Sequence, residues 1–182
     1  MNATKKLVYI AALFVASTAA NAQWYGDLTY LLATTKRTDS SSTVKSTPKT
    51  IGAFIGYEVN ENFSAEGLIG AGIGETEVKV NGVSQGNPVM SKTDYVYGVF
   101  VKPRLKLNGE IEVFARLGYI QGKTTSYNSS GSSTVVKGDW AYGAGANYFF
   151  SKSTYITASW MNLYRKDNVR SDGLMVGLGL KF

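Results

Sequence analysis

The 182-residue chain has no cysteine and no histidine. It therefore holds no Cys-His pair or Ser-His-Asp triad, no His or Cys metal site, no disulfide and no cysteine that could carry a lipid. No cofactor is expected. Proline is scarce at 3 residues, and only Pro103 falls inside a strand-like segment. The apolar stretch over 7–16 is shorter than the roughly 20 residues of a transmembrane helix, and charges and glycines interrupt every later candidate. Glycine, with 20 residues, and aromatics, with 12 Tyr, 8 Phe and 3 Trp, are plentiful instead. That is not the balance of an ordinary soluble domain.

The first residues read as an export leader. Lys5 and Lys6 precede an uncharged, mostly apolar stretch over 7–16, and Ala20-Asn21-Ala22 supplies the small-x-small pattern of a cleavage point. The expectation is a cleaved secretory signal peptide over 1–22 and one domain over 23–182, starting at Gln23. Loss of two lysines with the leader lowers the formal net charge from +6 to +4.

The remainder alternates strand-like segments with two kinds of connection. Eight strands are predicted, near 24–34, 50–59, 63–73, 93–105, 111–121, 139–150, 154–164 and 173–182. Each is about ten residues, the length a tilted strand needs to cross a bilayer. Long connections fall at KRTDSSSTVKSTPK (36–49), 74–92, GKTTSYNSSGSSTVVK (122–137) and RKDNVRSD (165–172), and short ones at 60–62, 106–110 and 151–153. Strict alternation puts the long connections at one end of the sheet and the tight turns at the other.

Within the segments the period is two. Ile51, Ala53, Ile55, Tyr57 and Val59 oppose Gly52, Phe54, Gly56 and Glu58; Tyr95, Tyr97, Val99 and Val101 oppose Asp94, Gly98, Lys102 and Arg104. Ile111, Val113, Ala115, Leu117 and Tyr119 oppose Glu112, Arg116 and Gly118. The first and seventh segments follow more loosely, and the seventh fits either facing. A soluble sandwich or lipocalin-like barrel alternates in the same way, with its apolar face inward. Two features favour the apolar face turned out to lipid: opposite charges recur with glycine in mid-strand on the polar face, and Tyr and Trp gather toward strand ends on the apolar one.

Eight strands leave an interior just filled by side chains. The residues expected there are Asp27, Glu58, Glu66, Lys102, Arg104, Glu112, Arg116 and Lys181. Four acids face four bases, which allows a neutral network plugging the barrel. Inward glycines would make room for Phe54, Phe100 and Phe114. Asn108-Gly109 is expected to form a type I′ turn. Asn81-Gly82, between ETEVKV (75–80) and VSQGNPV (83–89), is expected to head a protruding hairpin whose edge could accept a partner strand. Pro103 should cause a bulge or end regular pairing.

The last strand places Leu174, Val176, Leu178, Leu180 and Phe182 on one face. This resembles the C-terminal signal read by the outer-membrane assembly machinery, with Leu180 standing where an aromatic is common. Together with GYEVNENFSAEG (56–67) and DWAYGAGANYFFS (139–151), the chain resembles the small outer-membrane β-barrel domain family, which includes the OmpA N-terminal barrel, OmpX and the neisserial opacity proteins. The resemblance implies an all-β, eight-stranded antiparallel up-and-down transmembrane β-barrel in a Gram-negative outer membrane. It implies a monomer with periplasmic termini and extracellular long loops. Eight-stranded barrels that deacylate or palmitoylate lipid A rely on a histidine absent here, so no catalytic residue is assigned.

The outer loops are rich in Ser and Thr and carry Lys36, Arg37, Lys45, Lys49, Lys123, Lys137, Arg165, Lys166 and Arg170. Such groups are attracted to the phosphate-dense lipopolysaccharide leaflet. Expected partners are outer-membrane lipids, lipopolysaccharide and, during biogenesis, the assembly machinery; a surface or host ligand is a further candidate, and nucleic acid is excluded by export. The function expected is structural, adhesive or surface-recognising and non-enzymatic. The alternative is a narrow channel for small or hydrophobic solutes, as in OmpW-type relatives. Phe182→Ser should sharply reduce folded protein in the outer membrane, read as loss of the heat-modifiable band in membrane fractions; an undiminished band would remove the terminal residue from the signal.

Overall fold

Period-two alternation over this length leaves every second side chain on a common face, so each strand must lie in a sheet with two chemically different sides. The structure, a computed structural model, describes residues 24–182; the leader expected over 1–22 lies outside the described residues. The strands are β1 (Trp24–Asp39), β2 (Ser42–Ser46), β3 (Lys49–Glu58), β4 (Phe63–Gly72), β5 (Thr76–Val80), β6 (Val89–Lys106), β7 (Ile111–Asn128), β8 (Gly131–Phe149), β9 (Thr154–Lys166) and β10 (Val169–Lys181). Eight of them close into an antiparallel ring in the order β1-β3-β4-β6-β7-β8-β9-β10. Closure is made by β1 on β10, in continuous register from Tyr25↔Lys181 to Arg37↔Val169.

Two short strands extend the wall. β2 pairs with the outer end of β1, β5 pairs with β2, and β5 pairs again with β6. They occupy the places that β3 and β4 hold nearer the tight turns. The chain steps from one tier to the next at Pro48 and at Gly74, whose φ of 74° suits glycine. Much of what the sequence suggested as long loop is therefore strand. The 122–137 connection is a continuation of β7 and β8 around Ser129-Ser130, paired as far as Asn128↔Gly131. The 165–172 connection shrinks to a two-residue turn, with Asp167 and Asn168 both at positive φ, the type I′ geometry that matches strand twist. The polar composition of these segments hid their pairing, because outside a membrane both faces of a strand can be polar.

Three local expectations change. Asn81-Gly82 does form a positive-φ turn, closed by Val80 and Val83 hydrogen bonds of 3.1 and 3.0 Å. It heads a hairpin whose second arm is the start of β6, with Thr76↔Ser91 and Val78↔Val89 paired, while the other side of β5 is covered by β2 at Lys79 and Val80. Residues 131–141 of β8 pair on the β7 side only, since β9 joins β8 from Tyr142 onward. Asn108-Gly109 does not use the type I′ geometry: neither residue has positive φ among the described residues. Instead Asn108 Oδ1 accepts from the backbone N–H of Glu110 and Ile111 at 2.9 and 2.7 Å. Pro103 interrupts the β6–β7 ladder without shifting it, because Val101↔Leu117 and Arg104↔Phe114 share one register. The register shift on β6 lies instead between Thr93 and Tyr95.

The polarity of the wall is inverted relative to a soluble protein. Val99 and Trp140 are 67% and 66% exposed, whereas Arg116 and Lys102 are each 1% exposed. Leu28, Ile55, Ile69, Leu117, Leu174, Val176 and Leu178 continue the exposed apolar band. Aromatic pairs edge it on both sides: Trp24–Tyr57 and Tyr148–Phe150 at the tight-turn end, Tyr95–Tyr97, Tyr119–Trp140 and Tyr142–Trp160 at the other. Trp140 and Tyr148 stand eight positions apart on β8, about 27 Å along a strand, and tilt brings this close to the height of an outer-membrane apolar band. The loosely patterned strands also settle. Asp27 and Thr29 of β1 and Tyr155, Thr157, Ser159 and Met161 of β9 point inward.

Inward glycines keep the ring closed. A Cβ on Gly118 would meet the Val99 carbonyl oxygen at 2.0 Å and the Phe100 Cα at 2.8 Å, whereas one on the outward Gly67 meets nothing within 4 Å. Gly118→Val should therefore abolish the heat-modifiable folded band and Gly67→Val should keep it; folding of both would disprove the packing argument.

Candidate functional site

The lumen divides into two halves. Toward the tight turns it holds all eight charged residues named from the sequence, joined in two balanced sets. In the first, Arg116 Nε lies 2.6 Å from Glu66 Oε2 and Arg116 Nη2 3.1 Å from Asp27 Oδ2, while Lys102 Nζ lies 3.2 Å from Glu66 Oε1. The Tyr25 hydroxyl donates to Glu66 at 2.7 Å and the Tyr155 hydroxyl donates to Asp27. In the second, Arg104 pairs with Glu58 and reaches Glu112 at 3.5 Å, and Lys181 Nζ lies 2.7 Å from Glu58. Asn147 donates to Glu112 at 2.9 Å, and Arg104 donates to the Asn60 carbonyl at 3.0 Å.

Each set has two acids and two bases, so each is formally neutral. This matters because an unpaired ion in such surroundings costs several kcal/mol. Aromatic faces complete the packing. The Arg116 guanidinium carbon lies 4.1 Å from the Phe54 ring centroid and 4.7 Å from that of Phe114, and Lys102 Nζ lies 4.6 and 4.5 Å from the Tyr25 and Phe114 rings. Beyond Phe54 the lumen changes character. Phe54, Leu68, Phe100, Ile120, Ala141, Met161 and Met175 form a buried apolar cluster.

Outside, the extended wall aligns basic residues. The pairs Lys79↔Lys45, Lys45↔Lys36, Lys36↔Arg170 and Arg170↔Arg165 run through five neighbouring strands. Directly opposed residues share a face, so these five exposed side chains form one row, about 19 Å long at the usual strand spacing. Lys36 continues the outward series Leu28, Leu32 on β1, and stands about 13 Å along the strand past Leu32. Arg170 is held by Asp172 at 2.7 Å, while among the described residues the other four have no ion-pair partner. Away from the row, the Tyr127 hydroxyl bonds Glu75, which raises its pKa and ties the β7 extension to the segment entering β5.

The structure separates the nine basic loop residues. Lys36, Lys45, Arg165 and Arg170 enter the row. Arg37 lies on the opposite face of β1, 3.2 Å from Asp39. Lys137 points to the lumen mouth, 5.2 Å from the Tyr164 ring centroid. Lys49 and Lys123 stand lower, beside Leu32 and Tyr95, and Lys166 flanks the last turn. Lys79 completes the row but was not singled out in the sequence, because only the β2–β5 pairing brings it alongside Lys45. Of the C-terminal residues, Leu174, Val176, Leu178 and Leu180 face outward in the apolar band, and the Phe182 N–H donates to the Trp24 carbonyl at 2.9 Å.

A closed ring with lipid-facing apolar residues, aromatic girdles and an ion-paired interior defines an integral β-barrel of the bacterial outer membrane. The chain belongs to the outer membrane protein beta-barrel domain family, whose model matches residues 7–182. Among solved structures, it resembles the attachment invasion locus protein Ail of Yersinia pestis at 20% identity, with 88% of this chain and 99% of that chain covered and a TM-score of 0.58. Ail has also been solved in complex with the heparin analogue sucrose octasulfate. Neisserial surface protein A is similar at 14% identity, with 88% and 97% covered and a TM-score of 0.60. The N-terminal barrel of Pseudomonas aeruginosa OprF is similar at 14% identity, with 86% and 99% covered and a TM-score of 0.58. A search of curated proteins found no match.

The first ion set makes a quantitative prediction. Arg116→Met leaves Asp27 and Glu66 facing Lys102 alone and should cost about 3–5 kcal/mol in urea unfolding. Adding Glu66→Gln restores neutrality and should recover much of that loss; a double variant no more stable than the single would show that charge balance is not the stabilising element.

Proposed function

We propose that this chain, after cleavage of the 1–22 leader, is a monomeric, non-enzymatic outer-membrane barrel that binds lipopolysaccharide phosphates through its basic outer wall. In this reading the tight turns and both termini are periplasmic. The strand ending at Phe182 carries the assembly signal, and the eight lumen charges seal the barrel. The observation that carries the proposal is the row Lys79, Lys45, Lys36, Arg170 and Arg165. Like charges directly opposite across strands are destabilising, and four of these five lack an ion-pair partner among the described residues. An anionic array laid along the row would remove that repulsion. The row stands just beyond the apolar band, where the phosphates of the outer leaflet lie, and this favours a lipid over a soluble polymer.

The narrow-channel alternative has no such support. A solute would have to pass both ion-paired sets, whose side chains fill the lumen against Tyr25, Phe54 and Phe114.

The test is reconstitution of the wild type and of Lys36→Glu/Lys45→Glu/Lys79→Glu in neutral phosphatidylcholine bilayers, with and without lipopolysaccharide. The readout is the temperature at which the SDS-resistant folded band disappears. Lipopolysaccharide should raise it for the wild type and leave the variant unchanged; an equal rise in both overturns the proposal. Protection of the wild type by sucrose octasulfate, with none from lipopolysaccharide, would instead assign the row to a soluble sulfated polymer.

A further inference from the structure

The apolar half of the lumen is not completely filled. A cavity of about 200 Å³ lies between the Phe54 layer and the long-connection end of the barrel. Its lower wall includes Phe54, Leu68, Ile120, Met161 and Met175. Its upper wall changes to hydroxyls, with Thr50, Thr93, Thr124 and Ser171, and its mouth carries Lys137 and Asp139. Below, the way is shut. Phe54 is fully buried, stacked beneath by the Arg116 guanidinium and flanked by Phe100 at 5.9 Å between centroids. The result is a cup with an apolar bottom, a hydroxyl collar and one opening.

We propose that this cup is a binding site for a small uncharged solute that arrives from the outer aqueous side. The solute would consist of one aryl or short alkyl group with a single hydrogen-bonding head. Size sets the first limit: a dry apolar cavity of about 150 Å³ holds a benzene-sized molecule, so the volume here suits one ring with a small substituent. Chemistry sets the second. Near the bottom the Thr29 hydroxyl is already committed to the Gly52 carbonyl at 3.1 Å, and a charge placed there would be stripped of water without compensation. The collar can satisfy one head group. Geometry sets the third, because the sealed floor makes this a site of capture and not of passage. The proposal is independent of the basic outer wall, which lies on the other face of the same strands.

The sequence supplies both a probe and a plug. Of the 4 methionines, Met161 and Met175 line the cup, whereas Met90 pairs with Tyr127 in the extended wall. Gly122 also lines the cup, and a Cβ there would have only ordinary contacts, 3.6 Å to the Tyr95 carbonyl and 3.9 Å to Val96. Gly122→Phe therefore fills the space without displacing backbone. Methyl-¹³C methionine spectra of the mature barrel in lipid nanodiscs should be recorded while benzyl alcohol is titrated, with glycerol as the polar comparison.

The expected result is a saturable shift of Met161 and Met175 with benzyl alcohol, none with glycerol, an unmoved Met90, and at least a tenfold loss of affinity in Gly122→Phe. The heat-modifiable band reports whether that variant folds; should it fail, Thr50→Leu narrows the cup from β3 and serves the same purpose. Absence of saturable shifts, or identical shifts in the filled variant, overturns the proposal. Contacts from the Met161 and Met175 methyls to lipid chain protons before any probe is added would give the cup to a lipid tail and overturn the free-solute reading.

Discussion

A backbone amide in hydrocarbon has no water to pair with, so a strand that crosses a membrane must have a neighbour on each side. In this chain that requirement is met by the β1–β10 seam, which runs without a break through thirteen register pairs from Tyr25↔Lys181 to Arg37↔Val169. Once the seam exists, the two faces of every strand are assigned. The outer face must be apolar, which is where Leu28, Val99, Leu117 and Leu178 stand. The inner face is cut off from lipid and can hold charge. The same closure explains why inward glycines recur beside large rings: a barrel of eight strands has little interior, and Tyr25, Phe100 and Tyr155 occupy what Gly56, Gly118 and Gly179 leave open.

Charge balance then decides how the interior is used. Eight ions in a narrow lumen are tolerable when each lies within reach of an opposite charge, and the two balanced sets achieve this. They also consume the polar capacity of the tight-turn half. Among the described residues the other half has no ionic groups below its collar, and Phe54 marks the boundary, with a guanidinium on one side and an apolar cavity on the other. The lumen is thus filled by ion pairs at one end and holds a cavity at the other.

Much of this organisation was readable from residue order. Asp27, Glu58, Glu66, Lys102, Arg104, Glu112, Arg116 and Lys181 could be placed inside because strand parity is a strictly local property: each is an even number of positions from other inward residues on its own strand. The aromatic girdles could be placed for the same reason. Other features could not. The extensions of β7 and β8 looked like loop because GKTTSYNSSGSSTVVK lacks an apolar face, and a strand solvated on both sides has no periodic signal to show. Asn108-Gly109 has the composition of a type I′ turn, yet the Asn108 side chain captures two backbone amides in a longer one. The Thr93/Tyr95 register shift resets parity partway along β6, which no local pattern announces.

The basic row shows the limit most clearly. Lys36, Lys45, Lys79, Arg165 and Arg170 sit on five different strands, and their alignment depends on four inter-strand registers. Lys36↔Lys45 and Arg165↔Arg170 are set by two-residue hairpin turns, whereas Lys36↔Arg170 and Lys45↔Lys79 join strands distant in sequence and depend on closure of the wall. The sequence by itself determined which side chains face lipid and which face the lumen wherever alternation is regular, because parity is fixed by the geometry of one strand; the facing of β9 and the parity reset on β6 were not legible in it. Only the tertiary structure decided which of those side chains become neighbours across strands distant in sequence, because such neighbours in a barrel are chosen by closure and register, and these arise from the whole ring at once.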